Sequence, residues 1–109
     1  MAIIYVSHAY GGKIENLERA KKITHDLQVK DLDNTYICPL LAFSHLQYGE
    51  VGYDEEMTLC FDLLQMCEKI IVASDISKGV DAEISLAEKL LNSNGEPMEV
   101  EFLEDTEQY

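Results

Sequence analysis

Four short apolar runs divide the chain: Ala2-Ile3-Ile4-Tyr5-Val6, Thr35-Tyr36-Ile37-Cys38, Lys69-Ile70-Ile71-Val72-Ala73 and Val100-Glu101-Phe102-Leu103. The first and third are β-branched and nearly continuous, the pattern of strands covered by helices on both faces. Between the runs, apolar residues recur at helical spacing instead. Leu17, Ala20, Ile23 and Leu27 form one stripe within Asn16 to Lys30; Met57, Cys60, Phe61, Leu64 and Cys67 form a second, behind Asp54, a residue able to cap that helix. A third helix is predicted from about Val80 to Leu91, stopped by the turn Asn92-Ser93-Asn94-Gly95. Pro39 has no amide hydrogen to give a ladder and so ends the second strand, leaving Leu40 to Tyr53 as a loop with aromatics and glycine.

Strand alternating with helix implies an α/β fold with a parallel sheet, because parallel neighbours need a crossover. The expected architecture is three-layer α/β/α, Rossmann-like (flavodoxin-like), with about four strands in the order 2-1-3-4. With 109 residues there is room for one core, assigned to residues 1–103, with residues 104–109 as an acidic tail. In this order the winding reverses between strands 1 and 3. The crevice at their C-terminal ends is where such sheets bind ligands.

Two loops face that crevice, Ser7 to Gly12 and Ser74 to Gly79. Gly11 and Gly12 lack a Cβ and tolerate positive φ, so backbone amides there can approach a ligand closely. Gly79 sits before a helix whose first amides are free, and Ser77 adds a hydroxyl. No G-x-G-x-x-G or P-loop pattern occurs, so a single phosphate or sugar fits better than a dinucleotide. Glu83 is expected in the first turn of the third helix, where the helix charge would favour its ionised, nucleophilic form, with the Tyr5 hydroxyl orienting it. His8 is a candidate base, and His45, with Phe43 and Tyr48, is placed to reach the crevice mouth, where aromatics suit stacking on a nucleobase. Each has a plainer reading: glycines that turn the chain, Glu83 as a helix-start acid, Tyr5 as a packed aromatic, His8 as a polar loop residue.

Charge narrows the partners. A net charge of -13 with no lysine or arginine cluster repels a duplex backbone. The longest apolar stretches fall far short of a bilayer span, and the N-terminus lacks a signal pattern, so no membrane is implied and a cytoplasmic location is expected. Cys38, Cys60 and Cys67 are odd in number, without a C-x-x-C pair, and read as reduced core thiols rather than disulfides or metal ligands.

Tyr5, the Gly11-Gly12 pair and the stretch Ser77-Lys78-Gly79-Val80-Asp81-Ala82-Glu83 resemble the nucleoside 2-deoxyribosyltransferase superfamily. Its nearest well-described branch is similar to the 2'-deoxynucleoside 5'-phosphate N-hydrolases, with motifs Y-F-x-G-S-I-R-G-G and S-x-G-x-G-Y-E-x-G. Short phage and bacterial proteins with stretches like Pro39-Leu40-Leu41-Ala42-Phe43-Ser44 look alike too. The resemblance implies that Glu83 attacks C1' of deoxyribose and Tyr5 holds the carboxylate. It also implies that Ala9, Tyr10, Gly11, Ser77 and Gly79 line a 5'-phosphate site, that no cofactor or metal is needed, and that the partner is a small nucleoside or nucleotide.

The chain departs from these motifs. Tyr10 stands where the family has arginine, His8 where it has glycine, and Asp81-Ala82 where it has Gly-Tyr. Cys60 occupies the place of an aspartate on the second helix, and Asp62, about 200° round that helix, is the nearest carboxylate candidate. A non-catalytic module that binds a nucleotide or ADP-ribose-type ligand in the same crevice, or an oligomer subunit with a vestigial one, is therefore an open alternative. The resemblance also implies a homo-oligomer, a dimer, with Met57, Phe61 and Met66 available for a contact.

Overall fold

The computed structural model describes residues 1–103, so the predicted acidic tail lies outside the described residues. The elements run β1 (Ile3–Ser7), α1 (Ile14–Lys30), β2 (Thr35–Ile37), α2 (Pro39–Ala42), α3 (Tyr53–Leu64), β3 (Lys69–Val72), α4 (Lys78–Ala87) and β4 (Glu99–Phe102). The four strands form one sheet in the order β2-β1-β3-β4, and every pairing is parallel. The expected α/β architecture and strand order are those observed.

Alternation along the strands sorts side chains onto two faces, each covered by its own helices. On one face Tyr5 and Ile70 join Leu64 of α3 and Ala87 of α4, with Val100 packed against them. On the other, Val6 and Ala73 join Ala20 and Ile23 of α1, with Leu40 and Leu41 of α2 alongside. That makes three layers, with the central strands β1 and β3 buried and the edge strands β2 and β4 partly exposed. Strand β2 is an edge, and α1 ties it down through one side chain. Gln28 Nε2 donates to the carbonyls of Asp31 (3.0 Å) and Asn34 (2.7 Å) while Gln28 Oε1 accepts from the Tyr36 amide (2.8 Å). An edge amide that would otherwise be open to another strand is thereby occupied.

Several boundaries differ from expectation for local reasons. Pro39 does not only stop β2: it opens α2, where its fixed φ suits the first helical position and its missing donor costs nothing. The residues expected to be loop from Leu40 therefore begin as a helical turn, held by burial of Leu40 and Leu41. Gly52, not Asp54, is the N-cap of α3, and Asp54, Glu55 and Glu56 form an acidic first turn that complements the helix charge. Helix α4 ends at Ala87 rather than Leu91, because Leu90 turns back to accept from the Met98 amide (3.0 Å) and Leu91 bridges Pro97. Of the residues offered for a subunit contact, Met57 lines the cleft, Phe61 is half-buried, and Met66 lies beyond α3 and is exposed. Among the described residues no helix is long and apolar enough to cross a membrane.

Candidate functional site

Because β1 and β3 are neighbours with Ser7 level with Val72, the two loops that follow them start side by side. They are stitched together: the Ala73 amide donates to the Ser7 carbonyl and the Ala9 amide donates to Ser74 Oγ, each at 2.8 Å. Ala9 thus serves the junction between loops rather than the surface of the cleft. Ser77 caps α4 by accepting from the Val80 amide at 3.3 Å, which fixes the start of a helix packed against β3 and β4.

Glu83 is the sixth residue of α4, in the second turn rather than the first, since the helix starts at Lys78 and not about Val80. The helix charge fades within the first turn and does not govern this carboxyl. Side chains do. Tyr5 and Ser7, alternate residues on the same face of β1, both reach it: the Tyr5 hydroxyl donates to Oε2, and Ser7 Oγ donates to Oε1 at 2.7 Å. Tyr5 and Ser7 are fully buried, and Glu83 is 5% exposed. Burial pushes the Glu83 carboxyl above the usual carboxylate range, and the two hydroxyls pull it part of the way back. Burial, with Glu83 beside it, drives the Tyr5 phenol far up, so it remains a neutral donor.

The carboxyl lies at the floor of a cavity of about 350 Å³. Tyr10 and Gly11 from the first loop and Ser77 and Gly79 from the second form its lips, and α3 supplies Glu56, Met57 and Cys60 opposite. A smaller cavity of about 90 Å³ adjoins it and shares Tyr10, Tyr48, Glu56 and Cys60. The size suits a small ligand. The Cys60 thiol, pushed up to about 12 by burial and the Glu83 charge, is a neutral neighbour rather than a nucleophile. It is not the core thiol that its helical stripe suggested, whereas Cys38 and Cys67 are buried.

His8 also borders the cavity, yet its ring is buried among other groups. Nδ1 donates to the Ala9 carbonyl at 2.7 Å, and the buried Nε2 meets no hydrogen-bond partner. Burial lowers its pKa, which keeps the ring neutral. Gly12 sits at φ +74 beneath the Tyr48 ring, so it shapes the lip without facing the ligand space.

Two candidates fall away from the site. Asp62 is exposed and lines neither cavity, because the face of α3 that carries Glu56 and Cys60 points into the cleft and two further residues rotate it away. His45 is exposed as well, its ring edge-on to Phe43 at 6.4 Å, and borders neither cavity. The carboxylate missed by the sequence reading is Glu56. Its signal was its position one turn before Cys60, on the same helical face. Tyr53 and Lys78, at the starts of α3 and α4, were missed too; Lys78 Nζ lies 4.8 Å from the Tyr53 ring centre, across the cleft mouth. Among the described residues no group of His, Cys, Asp and Glu is placed to hold a metal ion.

Comparison of the chain with protein-family models, with curated proteins and with solved structures finds no match.

Proposed function

We propose that the cleft cleaves or exchanges the N-glycosidic bond of a deoxynucleoside or its 5'-monophosphate, with Glu83 as nucleophile. The observation that carries this reading is a buried carboxyl, gripped by the Tyr5 and Ser7 hydroxyls, at the floor of a cavity large enough for a sugar and base. A carboxylate with one oxygen fixed by each hydroxyl is oriented before substrate arrives, which lowers the entropic cost of attack.

The reaction balances in two steps. A Glu83 oxygen bonds to C1' as the C1'–N bond breaks, the electron pair leaving with the base, which takes up a proton. Water, or the nitrogen of a second base, then attacks C1', loses a proton, and releases the carboxylate. This is the double displacement of retaining glycoside cleavage. As the glycosyl ester forms, the Glu83 charge is lost and its burial ceases to cost, so the apolar surround favours the intermediate.

The decisive experiment is chromatography of deoxynucleosides and their monophosphates incubated with the wild-type protein and with Glu83→Gln. Base release by the wild type alone is expected; release unchanged in the variant removes Glu83 from the nucleophile role. A second reading, a non-catalytic nucleotide-binding module, is favoured by one feature, the thiol of Cys60 where a carboxylate would have stood in the cleft. Calorimetry separates the two, since tight binding without turnover belongs to the module.

A further inference from the structure

The smaller cavity, about 90 Å³, has no part in the reaction at Glu83. Its apolar lining comes from four parts of the chain: Leu17 of α1, Leu40 of α2, Phe43 and Leu46 of the loop that follows, and Leu59 of α3. All five side chains are half-buried, so part of their apolar surface is open to a guest. Tyr10 and Tyr48 border the same space, edge to face, with centroids 5.4 Å apart and planes at 89°. The two rings form a corner. The Tyr10 carbonyl accepts from Asn16 Nδ2 at 2.9 Å and from the Lys13 amide at 3.1 Å, which pins that side of the corner to the start of α1.

Among the described residues one charged side chain borders the smaller cavity, and it is an acid. Glu56 stands where the two cavities meet, and its charge adds to burial and Glu83 in raising the neighbouring Cys60 thiol. Ser77, Lys78 and Gly79, the groups at the start of α4 that suit an anion, border only the larger cavity. Three aromatic rings and a carboxylate around an apolar hollow have the chemistry that recognises an organic cation. Ring faces attract positive charge, more strongly once it has left water, and the carboxylate neutralises it. The leucines take the alkyl part, which gains by burial. An anion would meet Glu56 with no compensating cation, and an uncharged guest gains nothing from it.

We propose that the smaller cavity binds a small alkylammonium ion, its charged nitrogen between Glu56 and the corner of Tyr10 and Tyr48 and its alkyl group among the leucines. This site does not depend on the chemistry that Glu83 performs.

The test compares three probes of one shape and different charge: choline, 3,3-dimethylbutan-1-ol and 3,3-dimethylbutanoate. NMR titration is run at about 0.15 M salt, where the long-range pull of the net charge of -13 is screened. Choline is expected to bind with a Kd at least about tenfold below that of the alcohol, the scale of a desolvated cation–π contact, and the carboxylate more weakly still. Cross-relaxation from the choline methyl protons should reach the ring protons of Tyr10 and Tyr48. Glu56→Gln keeps the shape and removes the charge, and Tyr48→Leu keeps apolar bulk and removes a ring; each should bring the ratio of choline to alcohol toward one. Equal binding of the three probes, tighter binding of the alcohol or the carboxylate, or no binding of choline overturns the proposal. A preference for choline that both variants retain also overturns it, because the cation would then sit elsewhere on the acidic surface.

Discussion

The Ser7 hydroxyl and the Glu83 carboxylate, 76 positions apart in the chain, meet at 2.7 Å. Strand order produces this contact. With β3 beside β1, α4, which packs against β3 and β4, sends the Glu83 side chain across to β1, and the first and third crossovers share one crevice. Had β1 and β3 been separated by another strand, Tyr5, Ser7 and Glu83 would have had no common space.

Replacing Glu83 by Gln is expected to reduce base release by at least about 1000-fold, as removal of a covalent nucleophile does elsewhere. The same change should stabilise the fold under alkaline conditions. The Glu83 carboxyl is raised in the folded state by burial, so its contribution is fully present below the unfolded carboxyl pKa and is lost as pH rises through the higher folded value. Urea midpoints should therefore show the variant more stable than wild type at pH 8, with the difference shrinking toward pH 4. A variant less stable at pH 8 would mean that Glu83 is held as a well-solvated anion.

Tyr5→Phe removes the donor to Oε2 and leaves the ring to pack. That hydrogen bond lowers the Glu83 pKa, so its loss raises the pKa further and moves the ascending limb of the pH–rate profile to higher pH. At neutral pH the rate should fall about 10- to 100-fold, the worth of one hydrogen bond to a charged group. Ser7→Ala should move the limb in the same direction. A rate loss with an unmoved limb would assign Tyr5 to packing alone.

The sheet and its order were legible because β-branched runs and helical stripes are set by burial, and burial acts on every residue of an element at once. Tyr5 and Glu83 could be paired from sequence for the same reason: strand order fixes which loops meet. Asp62 was legible as turned away, because two residues along from Cys60 is about 200° of helix and carries a side chain from cleft to solvent. His45 could not be placed, because its position depends on the path of one loop. Helix α2 was hidden for another reason: the same ring of Pro39 that ends a strand also begins a helix, and only the burial of Leu40 and Leu41 decides between them.

Gly11 and Gly12 both adopt positive φ, +61 and +74, but only Gly12 lies against another residue. Gly11→Ala pays the left-handed backbone cost alone, about 1 kcal/mol. Gly12→Ala pays that cost and also presses a methyl against the Tyr48 ring, which is 60% exposed and can yield, so the excess over Gly11→Ala should be about 0.5 kcal/mol. Chemical denaturation of the two variants measures the difference. In the double variant Gly12→Ala with Tyr48→Ala the excess should disappear, because the clash partner is gone.

All three thiols are raised by burial, Cys38 to about 11 and Cys60 and Cys67 to about 12. At pH 8 a free cysteine is about one quarter thiolate, whereas a thiol at these values is about 1000-fold less ionised. Ellman's reagent at pH 8 should accordingly react slowly with the native protein and rapidly once urea unfolds it. Cys60 alone of the three borders the cleft, so the residual native labelling, located by mass spectrometry, should fall on it and should slow when a deoxynucleoside occupies the cavity. Fast labelling of Cys60 that a bound ligand leaves unchanged would place its sulfur outside the binding space and separate α3 from the site.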